Sequence, residues 1–195
     1  MGEPAVYSNV DLAPNGKSVA VDKTDTGNQN ADVWIYELQG ESTKRVTFDP
    51  AIDAMPVWSP DGTRVVFSCS RKKTCDIYMK TTDGAQEEKA IEETPAQDKY
   101  PSSWSRDGKF ILYTRETELC FLTVPDWKSQ LFLKAPSAVK NGQFSPDGKW
   151  VAYASNESGK WECHIVSGCA REMSSVQRRR QPAAVEKRRQ RAFLP

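Results

Sequence analysis

Histidine is almost missing from this chain, the single one among 195 residues being His164. A Ser-His-Asp or Cys-His arrangement for nucleophilic catalysis therefore has little to draw on. No G-x-S-x-G elbow, Walker loop, kinase glycine-rich loop or catalytic-loop motif occurs, so the common signatures of serine hydrolases and of phosphoryl transfer are lacking. Long apolar runs are lacking too, and none approaches the roughly 18 residues that a membrane-spanning helix needs. The opening residues, Met1-Gly-Glu-Pro-Ala-Val6, have neither a basic start nor an apolar stretch, so no signal peptide is expected. Cysteine is sparse and odd in number, five in all, which gives no disulfide framework. Cys69 and Cys75 flank an expected hairpin loop and could meet across it, but two half-buried thiols is the simpler reading, and no pair has a clear zinc spacing.

Charge is unevenly placed. From Arg171 onward eight Lys or Arg and two Glu make a tail of +6, which leaves 19 basic and 24 acidic residues before it, a body of −5. Such a body has no electrostatic footprint for nucleic acid. Its aspartates and glutamates also invite simple explanations. The loop from Asp22 to Asn30 hints at calcium, but Thr24, Thr26 and Val33 stand where an EF-hand loop wants ligands, so no metal is assigned. Glu87, Glu88, Glu92 and Glu93 read as a solvated sheet edge.

What the chain does have is a repeat. Pro56-Val-Trp58-Ser-Pro-Asp61-Gly62-Thr-Arg-Val65-Val66-Phe67 has copies at Asp11 to Val19, Ser103 to Ile111 and Gln143 to Val151. The four turn glycines, Gly16, Gly62, Gly108 and Gly148, are 46, 46 and 40 residues apart. A period of this length marks propeller blades or solenoid units. Pro presets φ at the second position of a type I turn, Asp or Asn suits the third, and Gly adopts the left-handed conformation of the fourth. Each copy is therefore a tight hairpin, and Asp61, Asp107 and Asp147 are turn residues rather than catalytic carboxylates.

The strand leaving each turn alternates. Val65 and Phe67, Ile111 and Tyr113, Val151 and Tyr153 share one face, while Val66, Leu112 and Ala152 on the other face are also uncharged. Sheets covered on both faces explain this. A second strand follows at Asp32 to Tyr36, Asp76 to Met79 and Glu118 to Leu122, and then a short mixed strand suited to an outer edge. Four strands per repeat is a propeller blade. Trp58, Trp104 and Phe144 then fall between neighbouring blades, and each indole buries on the order of 150 to 250 Å², worth at most roughly 4 to 6 kcal/mol.

The expected fold is all-β: a partial β-propeller of four-stranded antiparallel blades, about three complete and part of a fourth, at about 1–50, 51–96, 97–136 and 137–166. Residues 167–195 form a basic tail that is expected to be disordered. Codon degeneracy allows Val185 to Leu194 to be re-read, one nucleotide over, as WRKDGKELFY, a fifth repeat in phase with the others. The tail is accordingly read as a frameshift product, which requires GTG for Val185 and GAG for Glu186.

The motif Trp58-Ser-Pro-Asp-Gly62, with Thr47-Phe-Asp-Pro-Ala51, Trp104-Ser-Arg-Asp-Gly108 and Gln143-Phe-Ser-Pro-Asp-Gly-Lys-Trp-Val-Ala-Tyr153, resembles the TolB-type, WD-repeat-like propeller family over roughly residues 8 to 162. It looks most like the propellers fused C-terminal to bacterial serine/threonine kinase domains. Family propellers usually have six or more blades, whereas this chain runs out in its fourth. The resemblance implies a noncatalytic interaction or scaffold module with a protein or peptide partner, while the charge balance and the lack of a long apolar run exclude nucleic acid and membrane insertion, and an open chain that runs out in its fourth blade would self-associate through its exposed sheet edges. Related blades also precede prolyl-oligopeptidase-type catalytic domains, so a substrate-gating propeller is the alternative, and a truncated gene product without a role is a third reading. No catalytic, cofactor or metal residue is assigned, and the chain is expected not to be an enzyme. Nothing directs export, so the cytoplasm is the expected compartment, with the periplasm as the alternative.

Overall fold

The computed structural model describes residues 5–27, 29–95 and 97–167. Among them there is no helix, and every regular element is a strand. The tail reading from residue 168 onward lies outside the described residues.

Fifteen strands form four antiparallel sheets, each a meander whose neighbours in sequence are neighbours in space. Blade 1 contains β1 (Val6–Leu12), β2 (Ser18–Thr24), β3 (Ala31–Glu37) and β4 (Thr43–Arg45). Blade 2 contains β5 (Asp53–Trp58), β6 (Arg64–Cys69), β7 (Asp76–Thr81) and β8 (Lys89–Glu92). Blade 3 contains β9 (Tyr100–Trp104), β10 (Phe110–Arg115), β11 (Glu118–Thr123) and β12 (Ser129–Lys134). Blade 4 has three described strands, β13 (Val139–Phe144), β14 (Trp150–Ser155) and β15 (Glu162–Ser167). The sheets stand side by side as the blades of a propeller, with β1, β5, β9 and β13 innermost.

The turns are built as their residues require. Gly62 N–H donates to Ser59 O at 2.9 Å, and the same bond recurs from Gly108 to Ser105 and from Gly148 to Ser145, with φ between 67° and 76° at all three glycines. Ser59 Oγ donates to Asp61 Oδ1 at 2.5 Å and accepts from Arg64 N–H at 2.9 Å, while Asp61 Oδ1 also accepts from Thr63 N–H at 3.0 Å. Ser105 with Asp107 and Ser145 with Asp147 repeat this arrangement. In the first turn Ala13 replaces the serine: Gly16 N–H still donates to Ala13 O at 2.8 Å, and of the side-chain bonds only that of Asn15, accepting from Lys17 N–H at 2.8 Å, remains.

Alternation on the second strands produces three inter-blade cores. Ala20, Val33 and Ile35 of blade 1 meet Trp58, Val65 and Phe67 of blade 2. Val66, Ile77 and Ile91 on the far side of blade 2 meet Trp104, Ile111 and Tyr113 of blade 3. Leu112, Leu119 and Phe121 meet Val139, Val151 and Tyr153 of blade 4, with Phe144 packed beside them. The two tryptophans and Phe144 thus sit where neighbouring blades join. Gly142 lets β13 lie directly on blade 3, where a Cβ would stand 2.7 Å from Leu112 Cδ2.

Polar clasps complete the joints. Lys99, wholly buried, donates from Nζ to Asp76 Oδ1 at 2.8 Å, Thr94 O at 2.6 Å and Gln97 O at 2.8 Å, which uses all three of its protons to fix the connection between blades 2 and 3. Asp22 is not a calcium-loop residue. It lies in β2, buried, and accepts from Ser8 N–H at 3.0 Å, Asn9 N–H at 2.7 Å and, across the joint, Met55 N–H at 3.0 Å. The acidic edge of blade 2 is likewise not solvated throughout. Glu88 pairs with Arg71 at 2.5 Å and Lys80 at 3.3 Å, and Glu92 is buried and accepts from Thr94 N–H at 3.2 Å.

Among the described residues, two flanks are uncovered. Val10 and Leu12, on the outward face of blade 1, are 69% and 55% exposed, and Trp150 and Ile165, on the outward face of blade 4, are 47% and 49% exposed.

Candidate functional site

The four innermost strands surround a groove of about 540 Å³ that opens beside the Asp-Gly turns. Blade 1 contributes Asp11, Leu12 and Pro14, and blade 2 contributes Trp58 and Pro60. Blade 3 supplies Ser102, Ser103, Trp104 and Arg106, and blade 4 supplies Gln143. Repetition puts them there: each stands within a few residues of its turn glycine, so equivalent positions of successive blades converge on one axis.

Much of the groove wall is internally satisfied. Asp11 Oδ2 accepts from Trp58 N–H at 2.8 Å, Asp11 O accepts from Trp58 Nε1 at 3.2 Å, and Trp104 Nε1 donates to Gly108 O at 3.1 Å. Ser103 Oγ accepts from Phe144 N–H at 3.2 Å, and Gln143 Nε2 donates to Ser102 O at 2.5 Å. Burial raises the Asp11 carboxyl above its ordinary pKa against the opposing pull of the Trp58 amide. Leu12, Pro14, Arg106 and Gln143 are exposed and face whatever enters.

A second polar cluster occupies the joint of blades 1 and 2. Arg71 lies 4.3 Å above the Tyr78 ring, donates to Cys69 Sγ at 2.9 Å and reaches Asp49 at 3.6 Å and Asp53 at 3.7 Å. Burial lifts the Asp53 carboxyl to about 6, although the Cys69 thiol and Thr47 hydroxyl favour its charged form. Burial and the facing Asp53 push the Cys69 thiol up to about 12, which leaves it an inert core group. Cys75 contacts Ser68, Asp98 and Tyr100, and both cysteines are free. The disulfide that their spacing allowed is not formed.

The other residues weighed from sequence do not converge on chemistry. His164 stacks on Tyr153 with ring centroids 5.3 Å apart. The turn aspartates Asp61, Asp107 and Asp147 are each spent on their own turn. Among the described residues no group of three or more His, Cys, Asp or Glu is arranged to hold a metal ion. Also among them, no helix is long and apolar enough to cross a membrane.

The family model of the TolB beta propeller domain matches residues 6–185. The chain belongs to this family. Among curated proteins, the TolB-type chain is 24% identical over 146 residues to the uncharacterized peptidase YuxL of Bacillus subtilis, covering 74% of this chain and 21% of that protein. TolB from Acinetobacter baumannii superimposes with a TM-score of 0.72 at 18% identity, over 84% of this chain and 41% of that one. A prolyl endopeptidase structure superimposes with a TM-score of 0.58 at 14% identity, over 84% of this chain and 27% of that one. These likenesses establish the propeller fold. The chain spans about a fifth of the Bacillus protein and less than half of the Acinetobacter one.

Proposed function

We propose that this TolB-type propeller is a noncatalytic interaction module that holds a protein or peptide segment in its axial groove. The observation that carries the reading is the groove itself, assembled from the inner strands of all four blades with Leu12, Pro14, Arg106 and Gln143 left open to an occupant. Within this reading, the module is the sensory propeller of a bacterial serine/threonine kinase.

The test is binding of labelled peptide pools to the 195-residue chain, with Pro14→Glu as the variant. Pro14 is exposed at the lip of the groove, so a charge there disturbs the occupant more than the fold. Weaker peptide binding by a variant with the parent's melting temperature supports the module. Unaltered binding places the partner elsewhere and removes the reading. Measurable peptide binding by the parent also counts against a truncated product without a role.

A second reading is favoured by the likeness to a protein named as a peptidase, YuxL. Here the propeller gates access to a catalytic domain carried elsewhere. Coding sequence around the gene separates the two: kinase motifs upstream support the sensor, and a G-x-S-x-G domain downstream supports the gate.

A further inference from the structure

Five arginines lie within the described residues, and four of them are tied to carboxylates: Arg45 to Asp32, Arg64 to Asp61, Arg71 to Glu88 and Arg115 to Glu118. The fifth, Arg106, lines the axial groove, is exposed, and has no ion pair or hydrogen bond from its guanidinium among the described residues. Its place in the chain is also unusual. The equivalent position in the other three turns is Pro14, Pro60 or Pro146, the residue that best presets the second position of a type I turn. The turn does not use the arginine side chain, since Ser105, Asp107 and Gly108 make the same bonds as their counterparts in the Pro60 turn. Nor does the neighbouring acid neutralise it. Asp107 accepts from Ser105 Oγ at 2.7 Å and from Lys109 N–H at 3.1 Å, and its other oxygen lies 3.7 Å from Lys109 Nζ.

We propose that the groove binds a peptide carboxylate, gripped by Arg106 at the blade 3 end, with the adjoining apolar residue against Leu12 and Pro60. The proposal rests on the groove reading above and names the chemistry of its occupant. Among the described residues, Asp11 and Arg106 are the only charged groups lining the groove, one on blade 1 and the other on blade 3. An anion is repelled at the first and attracted at the second, so the occupant has a defined direction. A planar guanidinium matches a carboxylate with two parallel hydrogen bonds. The carboxylate can be a C-terminus or an Asp or Glu side chain, and both present the same two oxygens.

Fluorescence anisotropy on the 195-residue chain tests this with three fluorescein-labelled heptapeptide pools. The first pool lacks Asp and Glu and ends in a free carboxylate, the second is the same pool amidated, and the third is amidated with one central Glu. The parent chain is expected to bind the first or third pool about tenfold more tightly than the second, and the preferred pool identifies the source of the carboxylate. Arg106→Pro restores the turn residue of the other blades, removes no backbone hydrogen bond of the turn and should erase that preference without lowering the melting temperature. Arg106→Gln serves the same purpose if the proline variant misfolds. Equal binding of all pools by the parent, or a preference that survives both variants, overturns the carboxylate grip while the Pro14→Glu result still decides the groove. Absence of binding to every pool overturns both.

Discussion

At the joint of blades 1 and 2 the Asp53 carboxyl is wholly buried, and among the described residues neither of its oxygens has a well-formed hydrogen bond. Arg71, at 3.7 Å, gives it only partial compensation because that guanidinium is already committed to Glu88 at 2.5 Å. Burial therefore dominates and lifts its pKa to about 6, against about 3.9 in an unfolded chain. The folded state binds the proton more tightly than the unfolded state does. Asp53 thus contributes stability that is fully present below about pH 4 and is lost as pH rises through about 6, a swing on the order of 3 kcal/mol. The turn aspartates act with the opposite sign. Burial works against the Asp61 carboxylate, yet bonds from Ser59 and Thr63 and the Arg64 charge hold it well below the usual range, so its contribution is lost as pH falls below about 4. From these two groups, stability should peak near pH 4 and fall between about pH 4 and 6. In Asp53→Asn the slope between pH 4 and 7 should flatten, as read from urea midpoints across that range. An unchanged slope would show that the Asp53 proton is not linked to folding.

At the scale of the element, the repeated turn carries most of what is common to the blades. Ser59 is buried, and its hydroxyl both donates to Asp61 and accepts from Arg64 N–H. Ser59→Ala makes the second turn resemble the first, where Ala13 stands, and leaves the Arg64 N–H without its acceptor. The cost should be about 1 to 3 kcal/mol, measurable by equilibrium denaturation, and a loss below about 0.5 kcal/mol would mean that the hairpin holds without its serine. These turns, the two-sided alternation and the aromatic anchors were legible in the sequence because each recurs at one offset from a glycine. The clasps were not. Lys99 finds Asp76 across 23 residues, and Asp22 reaches Met55 across 33, through contacts that no repeat unit contains. Asp22 was misread as a loop residue because its acid resembles a ligand, when its burial in β2 makes it an acceptor for backbone amides. Arg106 was visible as a departure from the turn pattern, but its significance needed the groove, which exists only once four blades share an axis.

At the scale of the whole molecule, the same outward and inward faces that build three joints have no neighbour among the described residues at the two ends of the arc. Val10 and Leu12 pair in register with Val21 and Val19, and Trp34 and Tyr36 continue that face of blade 1. Trp150 and Ala152 pair with Ser167 and Ile165 on the far face of blade 4. Inside the arc, faces of this composition always meet a partner of the opposite kind, as Val66 and Ile77 meet Ile111 and Tyr113. Blade 4 of one copy therefore offers the kind of surface that blade 1 of another lacks, and apolar area left in water at about 25 cal/mol per Å² favours their contact. Because the two faces differ, a contact between them would be head-to-tail, and it would either close a ring or continue as an open series. The 195-residue chain should sediment with a concentration-dependent average mass, and a Val10→Lys, Trp150→Lys double variant should shift it toward the monomer. Both side chains are already about half or more exposed, so the substitutions should leave the melting temperature close to the parent's. Sedimentation as a monomer at every concentration, or a double variant that associates as readily as the parent, would show that the two flanks do not recognise each other.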